Sequence, residues 1–231
     1  MQDEVAKHTR KIYKAMKEPG HSFWEKTKEV LIEIFIIVFA VTLSIWLHNW
    51  ADHRHEQQEA DEFEKGLKAD LEKDISLMED NRRDIQQVDS NFKFLRMLYE
   101  SGRLDTASDG LLSHYLDFQL RSTHPNIGRY EGFKSSGKMG TIENDSLKQK
   151  ILVYYQQTMP GVNDIEEVAN SFQTKIMDQE LNKPEHQPFR ELIRSFKLYA
   201  SLQFATGNLE QQASAYQDAI TQAKAIIVLL N

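Results

Sequence analysis

The sequence predicts an almost entirely α-helical protein, with a single N-terminal transmembrane helix followed by a helical bundle whose first helix is long. A predominantly apolar run occupies residues 30–50, which is long enough to cross a bilayer. Beyond it, apolar residues recur every three or four positions, and alternating apolar runs are absent from the sequence. We therefore divide the chain into an N-terminal tail of residues 1–29, a transmembrane helix of residues 30–50 and a helical domain of residues 51–231.

Composition argues against several functions. The formal net charge is -7, and no cationic stripe runs along the sequence. Nucleic acid is therefore disfavoured as a partner, because phosphate-binding surfaces are basic. The chain has no cysteine, which excludes disulfides, thiol chemistry and cysteine-ligated metals. We expect neither a cofactor nor a bound metal.

The apolar run from Val30 to Trp50 has the length and the flanks of a membrane span. As a helix it rises about 31 Å, which matches a hydrocarbon core of about 30 Å. Trp24 precedes the run, and Trp46 and Trp50 lie at its far end, where indole rings prefer the membrane interface. Bulky residues follow the apolar core in place of a small-residue cleavage site, which indicates an uncleaved signal anchor.

The distribution of basic residues predicts the orientation of the span. Six precede it and three follow it within a comparable distance: Arg10, Lys11, Lys14, Lys17, Lys26 and Lys28 before, and Arg54, Lys65 and Lys68 after. The positive-inside rule then places the N-terminus in the cytoplasm and the large domain on the other side of the membrane.

The tail itself is predicted to contain a short basic amphipathic helix over residues 8–17. Ile12, Tyr13 and Met16 share one face of this helix, which suits it to the anionic cytoplasmic leaflet. Gly20 is expected to separate the helix from the span.

Glu33, one turn into the span, is the polar residue with most functional potential. Thr42 and Ser44 can donate to carbonyls one turn back, so they cost little in lipid. A carboxylate in a span is costly and is usually paired or functional. Three interpretations stay open for Glu33: contact with headgroups or Lys28, pairing with a partner subunit, or carrying a proton or an ion.

The helical domain is predicted to begin with a long amphipathic helix. Its apolar stripe has spacings of three, four and seven and consists of Leu71, Ile75, Met78, Ile85, Val88, Phe92, Leu95 and Tyr99. No proline occurs between Gly20 and Pro125, so the span is expected to continue into this helix, which Gly102 ends. Arg82 interrupts the stripe and the phase slips, which favours a packed bundle over an isolated coiled coil.

Glycines, prolines and cap residues predict the remaining elements. Helices are expected from 106 to 120, from 144 or 145 until Pro160-Gly161, from 163 through 176, from 189 until Gly207, and from an Asn208 cap onward, with irregular chain over 122–143.

The last predicted helix carries an unbroken apolar seam. Its members alternate at spacings of four and three: Leu209, Ala213, Tyr216, Ile220, Ala223, Ile227 and Leu230. Such a seam is suited to packing against another helix, either in the same domain or in a second copy. Tyr216, Ile220 and Ile227 are therefore the candidate contact residues.

Residues 132–138 imitate a nucleotide-binding loop. They fit the pattern G-x-x-x-x-G-K, but Met139 stands where a hydroxyl should hold magnesium, and no strand precedes the stretch. We therefore expect no bound nucleotide. Two interpretations stay open: a tight connector with glycines at positive φ, or a loop that contacts a partner. The candidate contact residues are Tyr130, Lys134, Ser135, Ser136 and Gly137.

Other polar groups do not predict a site. His48, His53 and His55 lack the spacing of three or four that a metal pair on a helix usually needs. Four acidic residues are interpreted as lying at helix starts, where the dipole favours carboxylates, and not as catalytic groups. They are Asp145, Asp164, Glu166 and Glu167.

Three local patterns occur together in this chain. They are Glu33 within I-E-I-F-I-I-V-F-A-V, the exit L-H-N-W of residues 47–50, and Y-x-x-x-K-S-S-G of residues 130–137, followed by I-E-N, Leu147 and Tyr154-Tyr155. Over residues 24–172 the chain thereby resembles an uncharacterised single-pass membrane family of Bacteroidota-type bacteria, a domain of unknown function. His48 departs from the amide usual there. The resemblance implies membership and topology, but no established activity.

Together these features predict a non-enzymatic, membrane-anchored scaffold or interaction protein of the bacterial envelope. It is expected to self-associate or to bind another envelope membrane protein. One alternative is an accessory subunit of an ion-driven membrane machine that uses Glu33. Another is a ligand-sensing helical domain, against which the short tail offers no cytoplasmic output domain.

Overall fold

The computed structural model describes residues 2–15 and 23–231, and these residues contain helix and no β-strand. The predicted all-α class is therefore confirmed. Helix α1 spans Gln2–Ala15 and helix α2 spans Phe23–Glu100. The predicted roles of Met16 and Gly20 fall outside the described residues. The chain divides into two compact units, residues 1–59 and residues 60–231.

The part of α2 in the second unit buries the predicted apolar stripe. Leu71, Ile75, Met78, Ile85, Phe92 and Leu95 are buried, and Val88 and Tyr99 pack against them. The helix ends at Glu100, and Gly102 follows at a φ of 64°. The N–H of Arg103 then donates to the carbonyl of Leu98 at 3.0 Å, which closes the helix end in the way that a left-handed glycine allows.

Between residues 101 and 143 the predicted elements need correction. The helix expected over 106–120 is shorter, because helix α3 spans only Asp109–Leu116, after a 3-10 turn at Leu104–Thr106. The segment 122–143 is not wholly irregular. It contains helix α4, Gly128–Ser135, and a 3-10 turn at Lys138–Thr141.

Pro160 does not stop a helix, so the predicted break at Pro160-Gly161 is wrong. Helix α5 spans Asp145–Val153, a π-helical turn spans Tyr154–Thr158, and helix α6 spans Met159–Leu181. In the π turn the N–H of Met159 donates five residues back, to the carbonyl of Tyr154. This wider turn ends shortly before Pro160, which lacks a backbone N–H. It lets the chain continue as a helix through the proline.

The predicted break at Gly207 is also wrong. Helix α7 spans Phe189–Ile193 and helix α8 spans Phe196–Leu229, so Gly207 and Asn208 lie inside α8. The Nδ2 of Asn208 donates back to a carbonyl of the same helix and caps nothing. A glycine inside a helix costs only about 1 kcal/mol, which buried neighbours can outweigh.

The real start of α8 is marked by Ser195. Its Oγ accepts from the N–H of Leu198 at 3.2 Å, which satisfies one of the first N–H groups of the helix. Asn144 caps α5 in the same way, since its Oδ1 accepts from Leu147 N at 3.1 Å, which decides between the two start positions that the sequence predicts.

In the second unit, α8 packs antiparallel to both α2 and α6. Polar pairs between α2 and α8 run in opposite chain order: Glu79–Lys224, Arg82–Gln217, Lys93–Glu210 and Glu100–Tyr199. Pairs between α6 and α8 do the same: Glu166–Tyr216, Phe172–Phe204 and Gln179–Ser201. The apolar faces of these three helices meet in one core, so the bundle predicted for this domain is confirmed.

Candidate functional site

The N-terminal part of α2 is long and apolar enough to cross a membrane. Its most apolar stretch contains no residue that is buried within the protein. Leu31, Phe35, Phe39 and Trp46 each leave more than half of their surface exposed. A helix of a soluble protein would instead bury one apolar face against a neighbour.

The flanks of this stretch carry the three tryptophans that the sequence assigns to the membrane interface. Trp24, Trp46 and Trp50 are all exposed, and the guanidinium of Arg54 lies 5.1 Å from the centre of the Trp50 ring. The hydroxyl of Ser44 donates to the carbonyl of Ala40 at 2.8 Å, one turn back, as predicted. This back-bonding hides a polar group that would otherwise be costly in lipid.

Glu33 lies on α2 within the apolar stretch, and its side chain is partly buried. The nearby histidines form pairs along the helix: His48 with Asp52 at 3.3 Å, and His55 with Glu59 at 3.7 Å. Across residues 2–15 and 23–231, no three His, Cys, Asp or Glu side chains are grouped so that they could hold a metal ion.

The predicted contact loop at residues 130–137 is mostly the helix α4, and its first residue is internal. Tyr130 is buried, stacks on Tyr155 at 4.5 Å, and accepts a hydrogen bond from Gln156 at 2.8 Å. Lys134, Ser135 and Ser136 remain exposed, and Gly137 turns the chain at a φ of 76°. The connector interpretation therefore describes Gly137, whereas Tyr130 belongs to the core.

The predicted seam of the last helix is an internal contact. Tyr216 and Ile220 are buried in the core of the second unit, and Ile227 packs against that core. The seam therefore meets other helices of the same chain, and its buried members offer no surface to a second copy.

The structure reveals one polar centre that the sequence analysis missed, at Glu166. The sequence pattern predicts a position at a helix start for Glu166, but the residue lies in the interior of α6 and is only 4% exposed. Its carboxylate accepts from the hydroxyl of Tyr216 at 2.6 Å and from the backbone N–H of Thr123, whose nitrogen lies 2.9 and 3.0 Å from the two oxygens. In the described part of the chain, none of the ion pairs includes Glu166.

Side chains of α2 and α6 hold the segment 121–126, which we call the clamped segment. From α2, Asn81 donates to Ser122 O at 3.2 Å, and Asp74 accepts from the backbone N–H of Asn126 at 3.1 Å. From α6, Asn170 donates to the carbonyl of Arg121 at 3.0 Å. Backbone groups without regular secondary structure need such partners when they are buried.

A cleft of about 480 Å³ lies beside the clamped segment. Its lining residues come from that segment, the π turn and α6: Ser122, Thr123, His124, Pro125, Ile127, Tyr155, Met159, Pro160, Asn163, Glu166, Glu167 and Asn170. Two of these residues carry carboxylates, and none of the lining residues is a lysine or an arginine. The cleft therefore favours a neutral or positively charged occupant.

Burial controls the ionisation of the groups around the cleft. It raises the pKa of Tyr155, and it raises the pKa of Tyr216, where the hydrogen bond to Glu166 adds to the shift. Both phenols are therefore protonated at physiological pH, and they can donate hydrogen bonds but not act as bases. Burial also raises the pKa of Asp74, against the opposing effect of its hydrogen bonds with Asn126.

Comparison of the chain with protein-family models, curated proteins and solved structures finds no match. The sequence contains one indirect signal for a buried acceptor such as Glu166. Tyr216 lies on the predicted seam, and its hydroxyl needs a hydrogen-bond partner when it is buried.

Proposed function

We propose that this protein is a non-enzymatic, membrane-anchored interaction protein of the bacterial envelope. The observation that carries the proposal is the exposed apolar stretch of α2, which precedes a helical unit with its own closed core. The buried polar groups of that unit support the non-enzymatic part. Glu166 and Asp74 are both occupied in holding the clamped segment, which is a structural task.

The proposal includes a single-pass anchor in the inner membrane, with residues 1–29 in the cytoplasm and residues 51–231 in the periplasm. The excess of basic residues before the span supports this orientation. The local patterns around Glu33, Trp50 and residues 130–137 also support membership of the unknown-function membrane family that they resemble.

Topology gives the first prediction. A protease added to intact spheroplasts should digest the chain beyond Trp50 and spare the segment before Lys28, because only the periplasmic domain is accessible. Immunoblots against tags at the two ends measure this. Digestion of the N-terminal tag together with protection of the C-terminal tag would reverse the orientation.

The proposed partner is a second copy of the chain or another envelope membrane protein. Glu33, in the anchor, can contribute to binding that partner. If Glu33 pairs with a donor on a partner, Glu33→Gln should weaken the complex about tenfold, because a charge-assisted hydrogen bond is replaced by a neutral one. The measurement is quantitative co-purification of the full-length protein in mild detergent.

Glu29→Gln is the matched control, since Glu29 lies one turn earlier on α2 and is exposed. The alternative of an ion-driven machine is favoured by two results together. A partner with several spans co-purifies, and Glu33→Gln leaves assembly intact but abolishes the activity of the complex. Equal recovery and an unchanged phenotype in both variants would remove both functional interpretations of Glu33.

The cleft beside the clamped segment favours a second candidate function, a ligand-sensing helical domain. Its lining supplies the exposed carboxylate of Glu167 and the amide of Asn163, together with the apolar surfaces of Ile127 and Met159. Such a lining suits a small organic ammonium ion with a short apolar body.

For this candidate we expect putrescine or ethanolamine to raise the melting temperature of the full-length protein. Ligand binding to the folded state adds about 2.7 kcal/mol at a hundred times Kd. Glu167→Gln should remove the shift, whereas Glu185→Gln, an exposed acid outside the cleft, should keep it. A melting temperature that does not respond to either amine would count against this function.

A further inference from the structure

Helix α1 carries four cations on one face. Four exposed side chains, together with Ala6, line one open hollow with a volume of about 520 Å³. They are Lys7, Arg10, Lys11 and Lys14. Their spacing of three, one and three residues brings them to the same side of a helix. Like charges three or four residues apart destabilise a helix. A negatively charged partner on this face would therefore stabilise α1.

Among the side chains that the structure describes, none supplies that counter-charge. The ion pairs found there lie elsewhere and leave these four cations without a carboxylate partner. The four side chains are therefore available to an anionic surface outside the chain.

We infer that α1 docks on anionic lipid headgroups of the leaflet at the N-terminal end of the span. The inference rests on the proposed membrane anchor, because the anchor determines what α1 can reach. Only fourteen residues lie between Ala15 and Val30, a reach of at most about 50 Å even when fully extended. Tethering of this kind keeps α1 at a high effective concentration next to one bilayer surface.

Charge and shape both fit a lipid surface. Lys and Arg side chains are long enough to extend to phosphates while their helix lies in the interface. The ring of Tyr13 is 69% exposed, off the cationic face, where it can contact the acyl boundary. Each such cation near an anionic membrane favours docking about fivefold, so four together favour it by two to three orders of magnitude at low salt.

The test uses the full-length chain, which has no native cysteine. Ala15→Cys places a single fluorescent label at the end of α1, and the protein is reconstituted into vesicles of phosphatidylcholine with or without phosphatidylglycerol. We expect the label to be shielded from a water-soluble quencher only when phosphatidylglycerol is present. Shielding should fade at high salt, because about 1 M salt shortens the screening length to about 3 Å.

Changing Lys7, Arg10, Lys11 and Lys14 together to Gln should abolish shielding, and changing the three lysines to Arg should preserve it. The matched control removes four exposed cations of the second unit, Arg103, Lys150, Lys175 and Lys197, and should leave shielding unchanged. Flotation of the vesicles separates the two proposals. A protein that floats with its label equally quenched in both lipids overturns the docking of α1 alone, whereas a protein that does not float overturns the anchor and the docking together.

Discussion

Ile220→Asp should destabilise the helical domain by about 4 kcal/mol and lower its melting temperature by about 10 °C. Ile220 is 2% exposed, on the face of α8 that packs into the core. A carboxylate there has no partner within the core, and an unpaired buried charge is among the most destabilising single changes. Since domains of this size are stable by only about 5–15 kcal/mol, much of the margin is lost. Thermal melting of the full-length protein, followed by circular dichroism, measures the effect.

Ser214→Asp is the matched control, because Ser214 lies on the same helix and is exposed. It should change the melting temperature by no more than about 2 °C. Light scattering below the melting temperature should give the same mass for both variants and the unchanged protein, since the seam is internal. An unfolding temperature for Ile220→Asp equal to that of Ser214→Asp would show that this face of α8 is not packed.

The longest elements of the fold could be predicted from the sequence, because periodicity accumulates over many residues. The stripe from Leu71 to Tyr99 and the seam from Leu209 to Leu230 each repeat over several turns, and both face the core. The apolar run of residues 30–50 is equally easy to recognise, because its length matches the thickness of the hydrocarbon core of a bilayer. In each case the local apolar pattern and the tertiary packing favour the same helix.

The predicted breaks failed where tertiary structure overrides a local signal. Proline and glycine usually end helices, yet the run of α5, the π turn and α6 continues through Pro160, and α8 continues through Gly207. A π turn makes room for the proline, and buried neighbours on both sides hold the glycine in the helix. Neither compensation is visible in a local pattern, because each depends on distant packing.

The polar centre at Glu166 could not be predicted for a related reason. Its two partners lie on different elements, since Thr123 is in the clamped segment and Tyr216 is on α8, 43 and 50 residues away along the chain. An acidic residue among polar neighbours on a helix has the pattern of a solvated position. Only the packing of α6 against α8 and the clamped segment makes it a buried acceptor.

Glu166→Ala is expected to cost about 3 kcal/mol or more, the second large effect that the structure predicts. The change leaves the N–H of Thr123 and the hydroxyl of Tyr216 buried without an acceptor, and each unsatisfied donor costs about 1–3 kcal/mol. Because the clamped segment loses one of its contacts with α6, backbone N–H groups near Thr123 should also exchange hydrogen faster. Chemical denaturation and hydrogen exchange of the full-length protein measure the two effects separately.

Glu167→Ala is the matched control for this change. Glu167 is the next residue on α6 and lines the same cleft, but its side chain is exposed, so its removal should change stability by about 0.5 kcal/mol at most. Tyr216→Phe should give an intermediate loss of about 1–2 kcal/mol, because the carboxylate keeps its bonds to Thr123 and loses one donor. If Glu166→Ala proves as mild as Glu167→Ala, the carboxylate does not hold the clamped segment, and its burial would then favour a role in binding a ligand in the cleft.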